Sequence, residues 1–186
     1  MIKTLFICKR SENYSQPNYT NRKHSGLYNS ASMVVDMLNS VGIESVLEIA
    51  IDNNCIDRLV TQHKPSHVFI EAYWVVPEKF EILARLHPTV KWIVRMHSEI
   101  PFWATEGVAV EWTLRYLDFP NVYIAPNSKA AYNDIHTILS TKYEHVDNSR
   151  VIYLPNYYPI NVLKPYKKIE RCNDELHVGC FGAISP

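Results

Sequence analysis

The chain has 186 residues, enough for one domain with a sizeable core and short for two. Its composition, 47% hydrophobic, 12% aromatic and 20% charged, is that of an ordinary globular protein and excludes an intrinsically disordered chain. Lys plus Arg equals Asp plus Glu at 19 each, so there is no global field to gather nucleic acid or an anionic membrane, which leaves only local patches, and nucleic acid is not expected as a partner.

The N-terminal MIKTLFICKR holds too short an apolar run for a signal-peptide core, and no later run reaches the roughly 18 apolar residues of a membrane span. That run, Thr4 to Cys8, is the first expected strand. The polar segment Lys9 to Ser25 follows it, where a βα loop ordinarily needs about 2 to 6 residues; an insertion of that kind points to function or mobility. Leu27, Ala31, Val34, Val35, Leu38 and Val41 then recur at steps of three and four, the stripe of an amphipathic helix, and Gly42 supplies its stop.

Further strands are expected at Ser45 to Ile51, His67 to Ala72 and Lys91 to Met96. The runs Val68-Phe69-Ile70 and Trp92-Ile93-Val94 are apolar without alternation, as in strands buried on both faces. Between them Pro77 fits a first helical turn, with Glu78 at the positive end of the dipole, and the helix should end near Leu86, before Pro88. Thr105 is the expected cap of the next helix, with Glu106 in its first turn and Trp112, Tyr116 and Leu117 on its buried side. A strand over Val122 to Ala125 leads to a helix capped by Asn127 or Ser128 and running through Ala131, Ile135 and Leu139. Strands at Val151 to Leu154 and His177 to Phe181 complete the series. Between those two, Tyr157 to Asp174 carries Pro159, Pro165, Lys164, Lys167 and Lys168 and reads as a linker.

Strands alternating with helices predict an α/β fold: a Rossmann-like parallel sheet with helices on both faces. The expected organisation is a domain over 1–156, a linker over 157–174, and the first strand and glycine turn of a second domain over 175–186. Cys8, Cys55, Cys172 and Cys180 are widely spaced with no Cys-x-x-Cys pair, which signals neither zinc nor a redox motif. They are expected to be reduced, in a cytoplasmic protein without a metal.

In such a sheet ligands bind beyond the carboxyl ends of the strands. Three segments meet that condition. His24-Ser25-Gly26 enters the first helix, where a glycine admits close backbone approach and the helix N-terminus favours an anion; a plain helix entrance is the competing reading. Arg95-Met96-His97-Ser98-Glu99 leaves the fourth strand for Ile100-Pro101-Phe102-Trp103. His97 there suits a sugar hydroxyl or proton transfer, Glu99 is a second polar candidate and Trp103 a stacking surface, against ordinary loop packing. Asn127 and Ser128, with Asn156, end two strands and are as apt to cap a helix or make a turn as to touch a ligand.

Other chemistries lack their residues. His97-x-Glu99 has no following Pro-Cys-x-x-Cys for a zinc deaminase, and the histidines lack the spacing of His-Glu-x-x-His. There is no Walker-type phosphate loop and no Gly-x-Ser-x-Gly elbow. Gly179-Cys180-Phe181-Gly182 lacks the third glycine and the helix of a dinucleotide loop.

Taken in order, SGLYNSASMVVDML, RMHSEIPFW, IAPNSKAAYNDI, VIYLPNYYP and HVGCFGAISP resemble the N-terminal domain of GT-B glycosyltransferases, specifically the retaining group that uses nucleotide-sugar donors, together with the strand and glycine loop that open the second domain. The resemblance covers nearly the whole chain. It implies two Rossmann-like domains facing across a cleft, the first binding a carbohydrate or other hydroxyl acceptor and the second the nucleotide sugar, with no metal and no further cofactor. Gly26 would then lie near donor phosphate or sugar, His97 would contact the transferred sugar, and Gly182 would belong to the donor loop. Ala183 stands where the family has arginine, Gly26 stands alone where the family has paired glycines, and Pro155-Asn156-Tyr157 replaces Pro-Asn-Gly. The donor-gripping lysine and Glu-x7-Glu would fall beyond Pro186. Without them the leaving diphosphate lacks electrostatic stabilisation, so these 186 residues are expected to be an acceptor-side half without turnover of its own. The rival readings are a non-catalytic Rossmann-like module binding carbohydrate or protein, and a small α/β enzyme binding a nucleotide at Gly26.

Overall fold

A computed structural model describes residues 2–10, 26–103, 105, 107–143 and 147–159. Its centre is a five-stranded, all-parallel sheet in the order β2-β1-β3-β4-β5, built from β1 (Lys3–Lys9), β2 (Glu44–Ala50), β3 (His67–Glu71), β4 (Lys91–Met96) and β5 (Val122–Pro126). The helices are α1 (Gly26–Ser40), α2 (Cys55–His63), α3 (Pro77–Leu86), the single turn α4 (Ile100–Trp103), α5 (Ala109–Leu117) and α6 (Lys129–Lys142).

Because strand side chains alternate between faces, each strand feeds two cores. Leu5 and Ile7 of β1, Val68 and Ile70 of β3, and Trp92, Val94 and Met96 of β4 pack with residues of α2, α3, α5 and α6. Phe6 and Cys8 face the other way, onto Ala31 and Val35 of α1, with Phe69 stacked on Phe6 at 4.3 Å. On the larger face Phe80 meets Trp92 and Tyr116 edge-on at 5.8 and 5.0 Å, contacts each worth about 0.5–1.5 kcal/mol beyond the area they bury. The fold is thus the expected Rossmann-like α/β sheet with helices on both faces. Growth of the sheet reverses between β1 and β3, and an open α/β sheet has its ligand crevice at such a reversal.

Local chemistry explains most boundaries. Gly42, at φ +84°, ends α1 as a left-handed cap, and Ile43 N–H donates back to Leu38 O at 2.9 Å. Val41, assigned to the buried stripe, is instead 64% exposed, because it already lies past the last turn. Pro77 begins α3 and Leu86 ends it, as expected. Helix α2 has no counterpart among the expected elements. Asp52 Oδ1 accepts from Asn54 N–H at 2.8 Å in a turn that launches it, and Ile56, Leu59 and Val60 are its buried stripe.

Further expectations change. Thr105 does not cap α5: its hydroxyl donates to Phe102 O at 2.6 Å, closing the turn of α4, and α5 begins at Ala109 after Val108 without a side-chain cap. Glu106 lies outside the described residues. Tyr116 and Leu117 are buried in α5 as expected, whereas Trp112 is half-buried. The strand expected at Val151 to Leu154 is reduced to a parallel bridge from Val151 to Ile124, continued by Ile152 N–H to Ile124 O (2.9 Å) and Leu154 N–H to Pro126 O (3.0 Å). Arg150 anchors this segment by donating to the carbonyls of Leu117 and Phe119 at the end of α5, the latter shared with Val122 N–H. The segment therefore climbs beside β5 and delivers Asn156 to the carboxyl edge of the sheet. The strand expected at His177 to Phe181 lies outside the described residues.

Candidate functional site at the carboxyl edge of the sheet

Glu71 closes β3, and Arg95 stands directly opposite it in β4. Both side chains project to the α1 face, and both residues are 1% exposed. Arg95 Nη1 donates to Glu71 Oε1 at 2.9 Å. The other carboxylate oxygen, Oε2, lies 2.8 Å from His97 Nε2, just past the end of β4. Arg95 Nη2 donates to Asn156 Oδ1 at 2.9 Å, and the same oxygen accepts from Ser30 Oγ of α1 at 3.1 Å. Two strands, the α1 entrance and the segment beside β5 are thus tied by one polar network.

Burying a carboxylate and a guanidinium is expensive, and their attraction offsets the desolvation only with good geometry and further hydrogen bonds. Glu71 meets that condition, with both oxygens engaged. Arg95 meets it in part, since its Nε is buried without a partner among the described residues. The backbone adds strain at the same point. Ala72 follows Glu71 at φ +68°, a left-handed conformation that costs a non-glycine residue about 1–2 kcal/mol, and its N–H donates to Arg95 O at 3.0 Å.

Cys8 is the neighbour of Glu71 on the β1 side. Burial, and then the negative charge of Glu71, push its thiol up to about 12 against the lowering pull of Arg95. A thiol held that high is not a nucleophile near neutrality. Among the described residues, no group of three or more His, Cys, Asp or Glu could hold a metal ion, and no helix is long and apolar enough to cross a membrane.

Above the network opens a concavity of about 480 Å³. Gly26, His97, Asn127 and Asn156 all line it, so four positions singled out by the strand-end rule share one wall. Gly26 is the first residue of α1, and a Cβ built on it would meet nothing within 4 Å. Asn127 N–H donates to Met96 O at 3.0 Å, which fixes the turn after β5 against β4.

The remaining candidates fall elsewhere. Ser128 is the N-cap of α6 and accepts from Ala131 N–H at 3.1 Å. Glu99 is exposed and is not part of the concavity, while its carbonyl accepts from Phe102 N–H at 3.0 Å. Trp103 closes α4, and its side chain, like Ser25 and Gly182, lies outside what the structure describes.

Sequence reasoning passed over Glu71 and Ser30, assigned no role to Arg95, and left Asn29 and Tyr158 of the wall unassigned. One signal was available: charged Glu71 and Arg95 each continue an otherwise apolar run, HVFIE and KWIVRM, at positions where a buried strand admits charge only if it is paired.

Compared with known protein families and with curated proteins, the chain matches no family model and no curated relative.

Proposed function

We propose that this chain is the acceptor-side domain of a GT-B-type retaining glycosyltransferase, binding a carbohydrate or other hydroxyl acceptor at the carboxyl edge of its sheet, with the nucleotide-sugar donor gripped by a second domain. The observation that carries the reading is the convergence of the α1 entrance, His97, Asn127 and Asn156 on one concavity, in the chain order of the segments that resemble that family. The wall carries three asparagine amides, an imidazole and the Ser30 and Tyr158 hydroxyls beside apolar Leu27 and Met33, with no carboxylate among its described lining residues. Such groups exchange hydrogen bonds with hydroxyls and need no metal to do so. The buried charge beneath supports the same reading, because a well-packed apolar pair of similar volume often serves stability about as well as a buried ion pair.

A non-catalytic carbohydrate-binding module is the second reading, favoured by Tyr158, whose ring is 64% exposed beside the site and open to stacking on a sugar. Both readings are tested by titrating the isotopically labelled 186-residue chain with mono- and disaccharides, UDP and GDP, and following backbone amides by NMR. Saccharide-induced shifts confined to Gly26, Asn29, His97, Asn127 and Asn156, with weak or no nucleotide binding, are expected. Tight binding of UDP or GDP around Gly26 by the chain alone would overturn the acceptor-domain reading in favour of a small nucleotide-binding enzyme. Sugar transfer from a nucleotide sugar by these residues alone would overturn their assignment as a dependent half, and transfer by a version carrying a donor domain separates the transferase from the binding module.

A further inference from the structure

We propose that Glu71 is the positioning residue of His97, fixing the ring and its tautomer so that Nδ1 meets a ligand hydroxyl as a hydrogen-bond acceptor. Glu71 Oε1 is held by Arg95 at 2.9 Å, and a carboxylate paired with a guanidinium only accepts. The neutral imidazole facing Oε2 at 2.8 Å must therefore carry its proton on Nε2. Nδ1 is left without a hydrogen. It has no partner among the described residues, and His97 is part of the wall of the concavity.

Asn156 is polarised by the same network. Arg95 Nη2, which can only donate, and Ser30 Oγ both face its Oδ1, so the amide nitrogen is the end that remains, 3.4 Å from the Tyr158 hydroxyl. The wall thus presents a bare acceptor on His97 and a donor on Asn156. A hydroxyl satisfies both, because it donates and accepts at once. A phosphate monoester dianion or a carboxylate has no proton to offer Nδ1 and would leave that acceptor unpaired. The assignment of a hydroxyl ligand rests on the proposed carbohydrate site, whereas the tautomer rests on geometry alone.

The test uses the full 186-residue chain with nitrogen-15 histidine, read by long-range proton–nitrogen correlation at about pH 8, above the ordinary imidazole range. His97→Ala identifies the resonances by their loss. The wild type is expected to show a protonated Nε2 and a bare Nδ1. In Glu71→Gln the amide oxygen is retained by Arg95 and the NH2 group turns to His97, so the pattern reverses to a protonated Nδ1. A merely structural role for Glu71 predicts no reversal, and an unchanged pattern in folded Glu71→Gln overturns the proposal. Should that variant not fold, the wild-type spectrum decides, since a proton on Nδ1 or a rapidly averaged pair overturns it equally. Titration of the same sample with a panel of methyl hexosides is expected to move Nδ1, and methyl phosphate and acetate are not. The reverse result, or no response to any hexoside, removes the hydroxyl assignment and with it the carbohydrate reading, while the tautomer stands or falls on the first experiment.

Discussion

Arg95 Nη2 donates to Asn156 Oδ1 at 2.9 Å across 61 residues of sequence. That bond joins the centre of the sheet to the segment beside β5, and it is the reason an asparagine in an irregular stretch arrives at a strand-end site. Asn156→Ala removes the acceptor that Arg95 and Ser30 share and strands a buried guanidinium hydrogen. The expected loss is about 1–3 kcal/mol, read as a lower urea midpoint at unchanged slope. A midpoint equal to wild type would mean that the bond does not hold the segment to the sheet.

Glu71 and Arg95 test what the buried pair contributes. Removing one partner leaves a buried charge unopposed, so Glu71→Ala should destabilise by about 3–5 kcal/mol, a large share of the roughly 5–15 kcal/mol that holds a domain folded. Glu71→Leu combined with Arg95→Met removes both charges and should recover most of that loss. Denaturant unfolding of the single and double variants decides the matter: a double variant as unstable as Glu71→Ala would show that the pair stabilises the fold in its own right. Saccharide binding should stay impaired in the double variant, because His97 has lost its support.

The contrast between this network and the rest of the chain shows what the sequence discloses. The strands over Lys91–Met96 and His67–Glu71 were legible because a run buried on both faces is apolar throughout, and α3 because Pro77 and Pro88 bracket it. His97, Gly26, Asn127 and Asn156 were legible as site candidates because a parallel sheet directs its ligands to the strand ends. Glu71 was not, since its partner is set by strand register: Glu71 faces Arg95 only once β3 pairs with β4. The capping roles went astray for a similar reason. Thr105 has the right side chain for a cap, but the turn of α4 takes its hydroxyl, and no local pattern reveals that competition. Helix α2 was passed over because its stripe is short and its start depends on a turn made by Asp52.

Gly26 separates folding from binding. Its Cβ position is open, with nothing within 4 Å, and α1 starts at this residue. Gly26→Ala should therefore fold normally and gain up to about 0.5–1 kcal/mol from reduced freedom of the unfolded chain. Yet the added methyl projects at a residue lining the concavity, and saccharide affinity should fall several-fold. Thermal unfolding and the amide titration together check this. Unchanged affinity with raised stability would reduce Gly26 to a plain helix entrance.

Alkali should loosen the fold through two buried acids on opposite faces of the sheet. Burial and Glu71 push the Cys8 thiol from 9.0 up to about 12. Burial also lifts the Tyr116 phenol well above its ordinary range, with Tyr73 and Glu78 adding to the effect, and its hydroxyl donates to Val75 O. Both groups are neutral in the folded protein and ionise earlier in the unfolded chain. Above about pH 9 the folded state therefore binds more protons, so their contribution is whole below that pH and is lost as pH rises toward 12. Urea midpoints measured from about pH 8 to about pH 10.5 should fall steadily. In Cys8→Ala the midpoint starts lower, because a buried side chain has shrunk, but its decline with pH should be shallower than in the wild type. Parallel declines in the two proteins would show that the Cys8 thiol titrates alike folded and unfolded, and would remove Glu71 as a source of negative field on this face of the sheet.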